Sequence, residues 1–160
     1  IIDLADIINE LFQIIRKSFD QKIDIQTDLP GKLPIMGDAT SLSQALMNLC
    51  NNARDAMPRG GYLNIATENR YLYMSNDYPD LEKGTYTQVT ISDTGIGMDP
   101  EIKDQIFEPF FTTKEPGKGT GMGLAVVHGI IEEHKGFITV KSELGKGSVF
   151  TMILPSLKTI

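Results

Sequence analysis

The sequence has one cysteine, no tryptophan and no long hydrophobic run among its 160 residues. The single thiol of Cys50 excludes an internal disulfide. No segment reaches the roughly 20 apolar residues of a membrane span, and no signal-peptide pattern is present. We therefore expect a cytoplasmic setting without direct membrane contact by this chain, whether or not a parent protein is anchored. The chain begins on a helical pattern without an initiator methionine, which predicts an excised piece of a larger protein.

Positive charge is scarce as well. The 15 Lys and Arg residues are outnumbered by 21 Asp and Glu, which gives a net charge of -6. Because binding to a phosphate backbone needs clustered Lys and Arg, this balance argues against DNA, RNA or an anionic membrane as partner. A small anion neutralised by Mg²⁺ is compatible with it. With 41% apolar residues and periodic segments along almost its whole length, the sequence predicts one globular domain spanning residues 1–160.

Apolar spacing predicts alternating helices and strands, hence an α/β fold. A helical stripe covers residues 4–19, and a second helix, capped by Asp38 or Thr40, ends after Met57 before a Pro-Arg-Gly-Gly turn. The remaining predicted elements are short strands at 23–25, strands at 62–68 and 86–93 joined by a polar hairpin excursion at 71–84, helices at 101–107 and 121–134, and a terminal hairpin at 137–155.

The second predicted helix has a polar face opposite its apolar stripe. A solvated surface would explain such a face, but Asn and Asp are mediocre helix formers, and the face contains neither Lys nor Glu, which favours a functional role. The carbonyl oxygen of an Asn side chain is a ligand that suits Mg²⁺ shared with substrate phosphates. The face consists of Gln44, Asn48, Asn51, Asn52 and Asp55.

Asp93 ends a predicted strand on the same face as Val89 and Ile91, directly before a Thr-Gly-Ile-Gly turn. A turn-initiating Asp needs no ligand and would explain the pattern. Alternatively, the inward carboxylate must find a hydrogen-bond donor, and an exocyclic amine such as adenine N6 would supply one. Gly95 and Gly97 would then allow a flat ring to approach the backbone closely.

A glycine-rich run, GKGTGMGL, spans residues 117–124. Its spacing fits neither the dinucleotide-binding fingerprint nor the P-loop. Glycine-rich backbone that leads into a helix presents free N–H groups and a positive dipole end to an anion, for which a triphosphate is the natural candidate. A flexible loop followed by an ordinary helix cap explains the run equally well.

Taken in order, four motifs resemble the asparagine box, first glycine box, phenylalanine box and second glycine box of the catalytic ATP-binding domain of sensor histidine kinases, within the GHKL superfamily. The motifs are NLCNNARDA (48–56), DTGIGM (93–98), FEPFF (107–111) and GKGTGMGL (117–124). The resemblance covers nearly the whole chain. Within this family, three segments resemble the nitrogen-regulation and hybrid sensor kinases more than the porin-regulation type. They are NARDAMPRGG, FEPFFTTK and GTGMGLAVVHGII.

This resemblance implies a Bergerat-type two-layer α/β sandwich, with helices on one face of a mixed sheet and an ATP lid. It implies ATP and Mg²⁺ as cofactors, with Asn48 and Asn52 as catalytic residues and Asn52 as the metal ligand. Lys114 and Lys118 would neutralise the charge of the γ-phosphate, although solvated loop lysines are the alternative. Thr151 would reach adenine through water, although an ordinary strand residue is the alternative. The implied nucleotide contacts are Asn48, Asn52, Asp55, Asp93, Gly95, Gly97, Met98, Lys114, Lys118, Gly119, Thr120, Gly121, Met122, Gly123, Leu124 and Thr151.

The aromatic and histidine residues fit structural roles. Phe107, Phe110 and Phe111 would pack the base of the lid against the core. His128 and His134 lack the acidic neighbour and downstream proline of the family's phospho-acceptor motif, so we expect both to be structural or exposed.

Position 48 separates two mechanisms within the superfamily. Hydrolysing members have a Glu one turn before the Mg²⁺-binding Asn, whereas this chain has Asn48, which cannot accept a proton at neutral pH. The resemblance therefore implies phosphoryl transfer to a histidine on a separate dimerisation domain, a response regulator receiver domain as the next partner, and a homodimeric parent. The alternatives are an ATPase-gated dimerisation module and a non-catalytic interaction domain.

Overall fold

The computed structural model describes residues 1–73, 78–109, 111 and 123–158. The described helices and strands alternate much as the apolar spacing predicts. In chain order they are β1 (Ile2–Asp3), α1 (Leu4–Ser18), β2 (Ile23–Asp28), β3 (Pro34–Ile35), α2 (Ala39–Asp55), β4 (Gly61–Leu72), β5 (Gly84–Asp93), α3 (Pro100–Gln105), α4 (Gly123–Glu133), β6 (Phe137–Glu143) and β7 (Gly147–Pro155).

Five strands form a mixed sheet in the order β2-β4-β5-β7-β6. Among the described strands of this sheet, β2 and β4 are the one parallel pair, and the other neighbours are antiparallel. A separate two-stranded pair joins β1 to β3 beside the start of α1. The end of β5 at Asp93 therefore lies beside the end of β6, the start of β7 and the turn that joins these two strands. This edge of the sheet contains the candidate site.

The helices pack on one face of the sheet because apolar residues alternate along the strands. Leu63, Ile65, Ile91, Phe150 and Met152 all point toward the helices and are 5% exposed or less. Each such side chain contributes roughly 1.5–3 kcal/mol when fully buried. The helices complete this core with Leu4, Ile8, Leu11 and Ile15 of α1, Leu42, Leu46 and Leu49 of α2, and Val127 and Ile131 of α4.

Asp residues begin both long helices. The side chain of Asp3 accepts hydrogen bonds from the backbone N–H groups of Ala5 and Leu33, so it caps α1 and also holds the segment before β3. Asp38, one of the two predicted caps, accepts a hydrogen bond from the backbone N–H of Ser41 at the start of α2. The hydrogen bonds to Ser41 lower the pKa of the Asp38 carboxyl.

The predicted hairpin excursion at 71–84 is shorter than expected. Strand β4 continues to Leu72 and β5 starts at Gly84, and the two pair along this extra length. On the outer face of the sheet a small cluster of Leu72, Tyr86 and Ile153 is covered by Tyr78 and Leu81 from the connecting segment. Burial of these apolar groups explains why a polar, turn-rich stretch still supports regular strands.

The predicted two-layer α/β arrangement, with helices on one face of a mixed sheet, is confirmed. Most of the predicted ATP lid lies outside the described residues. No helix in the described ranges is long and apolar enough to cross a membrane.

Candidate functional site

The carboxylate of Asp93 is the central polar group of the candidate site. Asp93 ends β5 and is only 8% exposed, so the predicted inward orientation is confirmed. Its Oδ1 atom accepts hydrogen bonds from the backbone N–H of Gly95 at 2.9 Å and of Ser148 at 3.3 Å. One oxygen is therefore held by donors from two separate chain segments.

The second carboxylate oxygen of Asp93 remains available to a ligand. Within the described part of the chain no fully buried side-chain polar atom lacks a hydrogen-bond partner, and no hydrogen bond is made by Oδ2. Oδ2 is therefore not fully buried. Burial raises the pKa of Asp93, and the backbone donors of Gly95 and Ser148 oppose that rise. A ligand that donates a hydrogen bond to Oδ2 would stabilise the charged carboxylate.

Two serines that the sequence reasoning missed support this carboxylate. The hydroxyl groups of Ser142 and Ser148 are 2.7 Å apart. Ser142 also accepts a hydrogen bond from the backbone N–H of Met98 at 2.8 Å and donates to the carbonyl oxygen of Gly147 at 3.2 Å. The hydroxyls thus join the ends of β6 and β7 to the loop after Asp93. Only the pairing of Ser142 with Ser148 across the strands brings them here.

Gly95 and Gly97 both lie against backbone carbonyl groups of the protein. A Cβ atom on Gly95 would overlap the carbonyl oxygen of Ala56, at the end of α2. A Cβ atom on Gly97 would overlap the carbonyl oxygen of Glu143, and Gly97 also has a positive φ of 69°. Contacts within the protein therefore require glycine at both positions, and the approach of a flat ring to this backbone stays a prediction.

The loop after Asp93 is clamped between α2 and the turn that joins β6 to β7. The backbone N–H of Ile96 donates to the carbonyl oxygen of Ala56 at 2.9 Å, and the N–H of Gly145 donates to the carbonyl oxygen of Ile96 at 2.8 Å. Met98, which follows, packs partly buried against the main core. The predicted wall at Gly95, Gly97 and Met98 therefore has a fixed shape.

The polar face of α2 adjoins this clamp, because α2 ends next to Ala56. Asn48 and Asn52 are half-buried and one turn apart, and the exposed Asp55 follows, 3.0 Å from the guanidinium of Arg54. Asn48 Nδ2 lies 3.2 Å from the carbonyl oxygen of Gly123, the first described residue of α4. Since that carbonyl can only accept, Asn48 presents its NH₂ group there and turns Oδ1 away.

These amide oxygens fit a cation that shares its coordination with phosphate. The described ranges contain no cluster of three or more His, Cys, Asp or Glu side chains that would form a dedicated metal cage. Mg²⁺ typically takes one or two protein oxygens together with water and substrate phosphates. The Asn48 and Asn52 side chains are compatible with that kind of site.

The predicted phosphate loop is described only from Gly123 onward. Gly123 has open space where a Cβ atom would lie, and Leu124 packs against the main core. The other predicted contacts in this region lie outside the described residues. They are Lys114, Lys118, Gly119, Thr120, Gly121 and Met122.

Thr151 does not lie with Asp93. Along β5, Asp93 shares its face with Ile91, which pairs with Phe150 of β7. Thr151 is the next residue in β7 and pairs with Thr90, so its side chain points to the opposite face of the sheet. This corrects the expectation that Thr151 reaches the same base as Asp93, and Ser148 is the β7 residue beside the carboxylate.

The aromatic motif packs as expected where it is described. The ring of Phe107 packs edge-on against Phe150, with 6.4 Å between ring centroids, and lies 5.4 Å from the imidazole of His128 between centroids. Phe111 packs partly buried against the main core, and Phe110 lies outside the described residues. His134, expected to be structural or exposed, is half-buried and hydrogen-bonded to the backbone of Asp38.

Comparison with known proteins relates the chain to a known family. The family model for the histidine kinase-, DNA gyrase B- and HSP90-like ATPases matches residues 37–158. Sensor kinase CckA of Brucella abortus is 40% identical over 160 residues, which cover 98% of this chain and 17% of the relative. Sensor histidine kinase ZraS of Escherichia coli is 36% identical over 156 residues, which cover 96% of this chain and 30% of the relative.

Solved structures show the same fold. The catalytic domain of histidine kinase ThkA, in a nucleotide-free form, superposes with a TM-score of 0.77 at 29% identity, covering 96% of this chain and 93% of that one. Full-length ShkA in complex with AMPPNP superposes with a TM-score of 0.76 at 25% identity, covering 99% of this chain and 31% of that one.

The chain therefore belongs to the family of histidine kinase-, DNA gyrase B- and HSP90-like ATPases. Within it, the chain corresponds to the ATP-binding catalytic domain of sensor histidine kinases. It spans 17% and 30% of the length of the two curated relatives described above. The narrower likeness to nitrogen-regulation and hybrid kinases stays a prediction.

Replacing Gly97 with Ala should destabilise the fold by about 2 kcal/mol or more, because the new methyl group overlaps the Glu143 carbonyl at a positive φ. The matched control is Gly123→Ala, where the space is open and Ala favours the helix, so this variant should be as stable as wild type or up to about 1 kcal/mol more stable. Denaturant unfolding measures both variants. Equal stabilities for the two would contradict the clamp around Gly97.

Proposed function

We propose that this chain, as one module over residues 1–160, binds ATP with Mg²⁺ beside Asp93 and α2 and donates the γ-phosphate to a histidine on a separate dimerisation domain. The observation that carries the proposal is the Asp93 carboxylate, whose Oδ1 is held by two backbone donors. Its Oδ2 is not fully buried and has no hydrogen-bond partner among the described residues. Family membership supports the same nucleotide.

Recognition of adenine follows from hydrogen-bond polarity. An ionised carboxylate only accepts hydrogen bonds, so Oδ2 of Asp93 favours a base with an amine at that position, as adenine has at N6. Ser142 and Ser148 restrain the strand ends around the carboxylate, and the backbone from Gly95 to Met98 forms the wall beside it. A desolvated carboxylate in a rigid setting discriminates strongly against a base that presents an acceptor.

The phosphates would lie between α2 and the start of α4. Asn52, with the Oδ1 atom of Asn48 near it on the same helix face, would hold Mg²⁺. When bound, the metal would neutralise charge on the phosphates and orient them for transfer. Gly123 and Leu124 lie in the first described turn of α4, where backbone N–H groups favour an anion. Lys114 and Lys118 would add positive charge.

Transfer fits this site better than hydrolysis. The amide of Asn48 has no base function, and its NH₂ group is engaged by the carbonyl of Gly123. Phosphoryl transfer depends mainly on positioning and charge stabilisation, so the acceptor histidine can come from another domain. The dimerisation domain of a homodimeric parent would supply it, and a response regulator receiver domain would then take the phosphoryl group.

Asp93→Asn should weaken Mg-ATP binding by about 100-fold, because Asn keeps the Oδ1 acceptor but turns an NH₂ group toward the amine of adenine. Isothermal titration calorimetry measures the affinity. Asp24→Asn, an exposed acid on β2, is the matched control and should bind like wild type. Wild-type affinity in the Asp93 variant would contradict the proposed pocket.

The same variant separates binding from stability. Burial raises the pKa of the Asp93 carboxyl in the folded state, so ionisation opposes folding, and this part of the stability is lost as pH rises through the folded pKa. At neutral pH the ligand-free Asp93→Asn protein should therefore be at least as stable as wild type. Any excess in the free energy of unfolding of the Asp93→Asn protein over wild type should shrink at acidic pH, below the ordinary carboxyl pKa. A large loss of ligand-free stability at neutral pH would contradict this reading.

Transfer itself is tested by supplying the acceptor in trans. We expect radiolabelled γ-phosphate to move from ATP to an added histidine-containing dimerisation domain, and to stay on ATP when this chain is incubated alone. A dimerisation domain with its acceptor His replaced by Gln is the control. Rapid release of inorganic phosphate by this chain alone, without transfer, would instead favour an ATPase-gated dimerisation module.

A further inference from the structure

Two polar contacts join α2 to α4 at opposite ends of their interface. At one end, Asn48 donates to the carbonyl oxygen of Gly123 at 3.2 Å. At the other end, the backbone N–H of Asp38 donates to Nε2 of His134 at 3.0 Å. Between them the helices contact through buried apolar side chains, including Leu42 and Leu46 of α2 and Val127, Ile130 and Ile131 of α4.

The spacing of these contacts fixes one axial alignment of the helices. At 1.5 Å per residue, Asp38 to Asn48 spans about 15 Å along α2, and Gly123 to His134 spans about 16 Å along α4. The helices run antiparallel, since the start of each lies beside a later part of the other. A slip of one helical turn, about 5.4 Å, would break both hydrogen bonds together, whereas apolar packing alone tolerates such a slip better.

The contacts of His134 specify one tautomer of its imidazole. Nδ1 lies 2.7 Å from the carbonyl oxygen of Ile130, which can only accept, so Nδ1 carries the hydrogen. Nε2 must then be the acceptor for the Asp38 N–H. Gly37 leaves room for the ring, because a Cβ atom there would lie 2.8 Å from its Cδ2 atom. The carboxylate of Asp38 is the charged group from α2 that faces this imidazole.

The Asp38 N–H depends on His134 because α2 lacks a complete capping box. In a capping box the side chain three residues after the cap hydrogen-bonds the N–H of the cap residue. That position is Ser41, whose hydroxyl instead bonds the carboxylate of Asp38. The free N–H at the start of α2 therefore takes its partner from His134, the residue that follows α4.

We propose that His134 is a positioning residue for the nucleotide site. It lies about 16 Å along α4 from Gly123, too far to touch phosphates at the first turn of that helix. It holds α4 at the alignment that sets Gly123 and Leu124 against the Asn48 and Asn52 face of α2. The inference rests on the proposed nucleotide site and assigns a role to a histidine that takes no part in the transfer.

A matched pair of variants tests this role. In His134→Gln the side-chain carbonyl oxygen can replace Nε2 and accept from the Asp38 N–H. In His134→Asn the amide can still donate to the Ile130 carbonyl but is too short to reach Asp38. Titration calorimetry with Mg-AMPPNP should give an affinity about tenfold weaker for the Asn variant and within about twofold of wild type for the Gln variant.

Two readouts that do not need the nucleotide accompany the titration. In ¹⁵N NMR of the wild-type protein, the His134 ring should carry its proton on Nδ1, and the Asp38 amide should exchange slowly with deuterium. That protection should persist in the Gln variant and disappear in the Asn variant. The wild-type tautomer and the wild-type exchange rate report the contact even when a variant folds poorly.

The outcomes separate this inference from the proposed function. Wild-type affinity in a folded Asn variant, or a wild-type imidazole protonated on Nε2, would overturn the role of His134 while leaving the nucleotide site intact. Failure of the wild-type protein to bind Mg-AMPPNP would overturn the proposed function itself. Loss of affinity in the Asn variant with rescue by Gln supports the inference.

Discussion

A carboxylate at the end of a buried strand is the constraint on which the site depends. Desolvation of Asp93 disfavours its charge, so its environment must supply donors. Gly95 and Ser148 supply two of them from segments that are far apart in sequence. Both segments can reach one oxygen only if the loop after β5 and the start of β7 converge, and the hydroxyl pair of Ser142 and Ser148 reinforces that convergence.

The loop after Asp93 is held in place on both sides. Its backbone is hydrogen-bonded to the end of α2 on one side and to the β6–β7 turn on the other. Because α2 also carries Asn48 and Asn52, the loop contact connects the proposed base-recognition part of the site to the proposed phosphate part. The attachment of α4 to α2 at Asp38 and Asn48 extends this framework to the helix that follows the glycine-rich run. In the described part of the chain these contacts are made by the protein alone, without a ligand, which is typical of a pre-organised framework.

Local patterns in the sequence were sufficient to predict the helices, the alternation along β5 and the inward carboxylate of Asp93, because these features depend on neighbours within one turn or one strand. The side of the sheet occupied by Thr151 and the position of Ser148 depend on how β7 pairs with β5, and one-residue shifts in pairing reverse every side chain. The role of Gly97 depends on Glu143, which is distant in sequence. Long-range pairing, not residue chemistry, therefore limited the prediction of the site.

The central claim, that the Oδ2 atom of Asp93 receives the amine of adenine, is tested most directly by comparing ATP with GTP in titration calorimetry at equal Mg²⁺. Guanine presents a carbonyl oxygen where adenine presents its amine, so the carboxylate would face an acceptor and a buried polar group would stay unpaired. We expect GTP to bind at least about 100-fold more weakly than ATP. Equal affinities for the two nucleotides would contradict recognition of the base by Asp93.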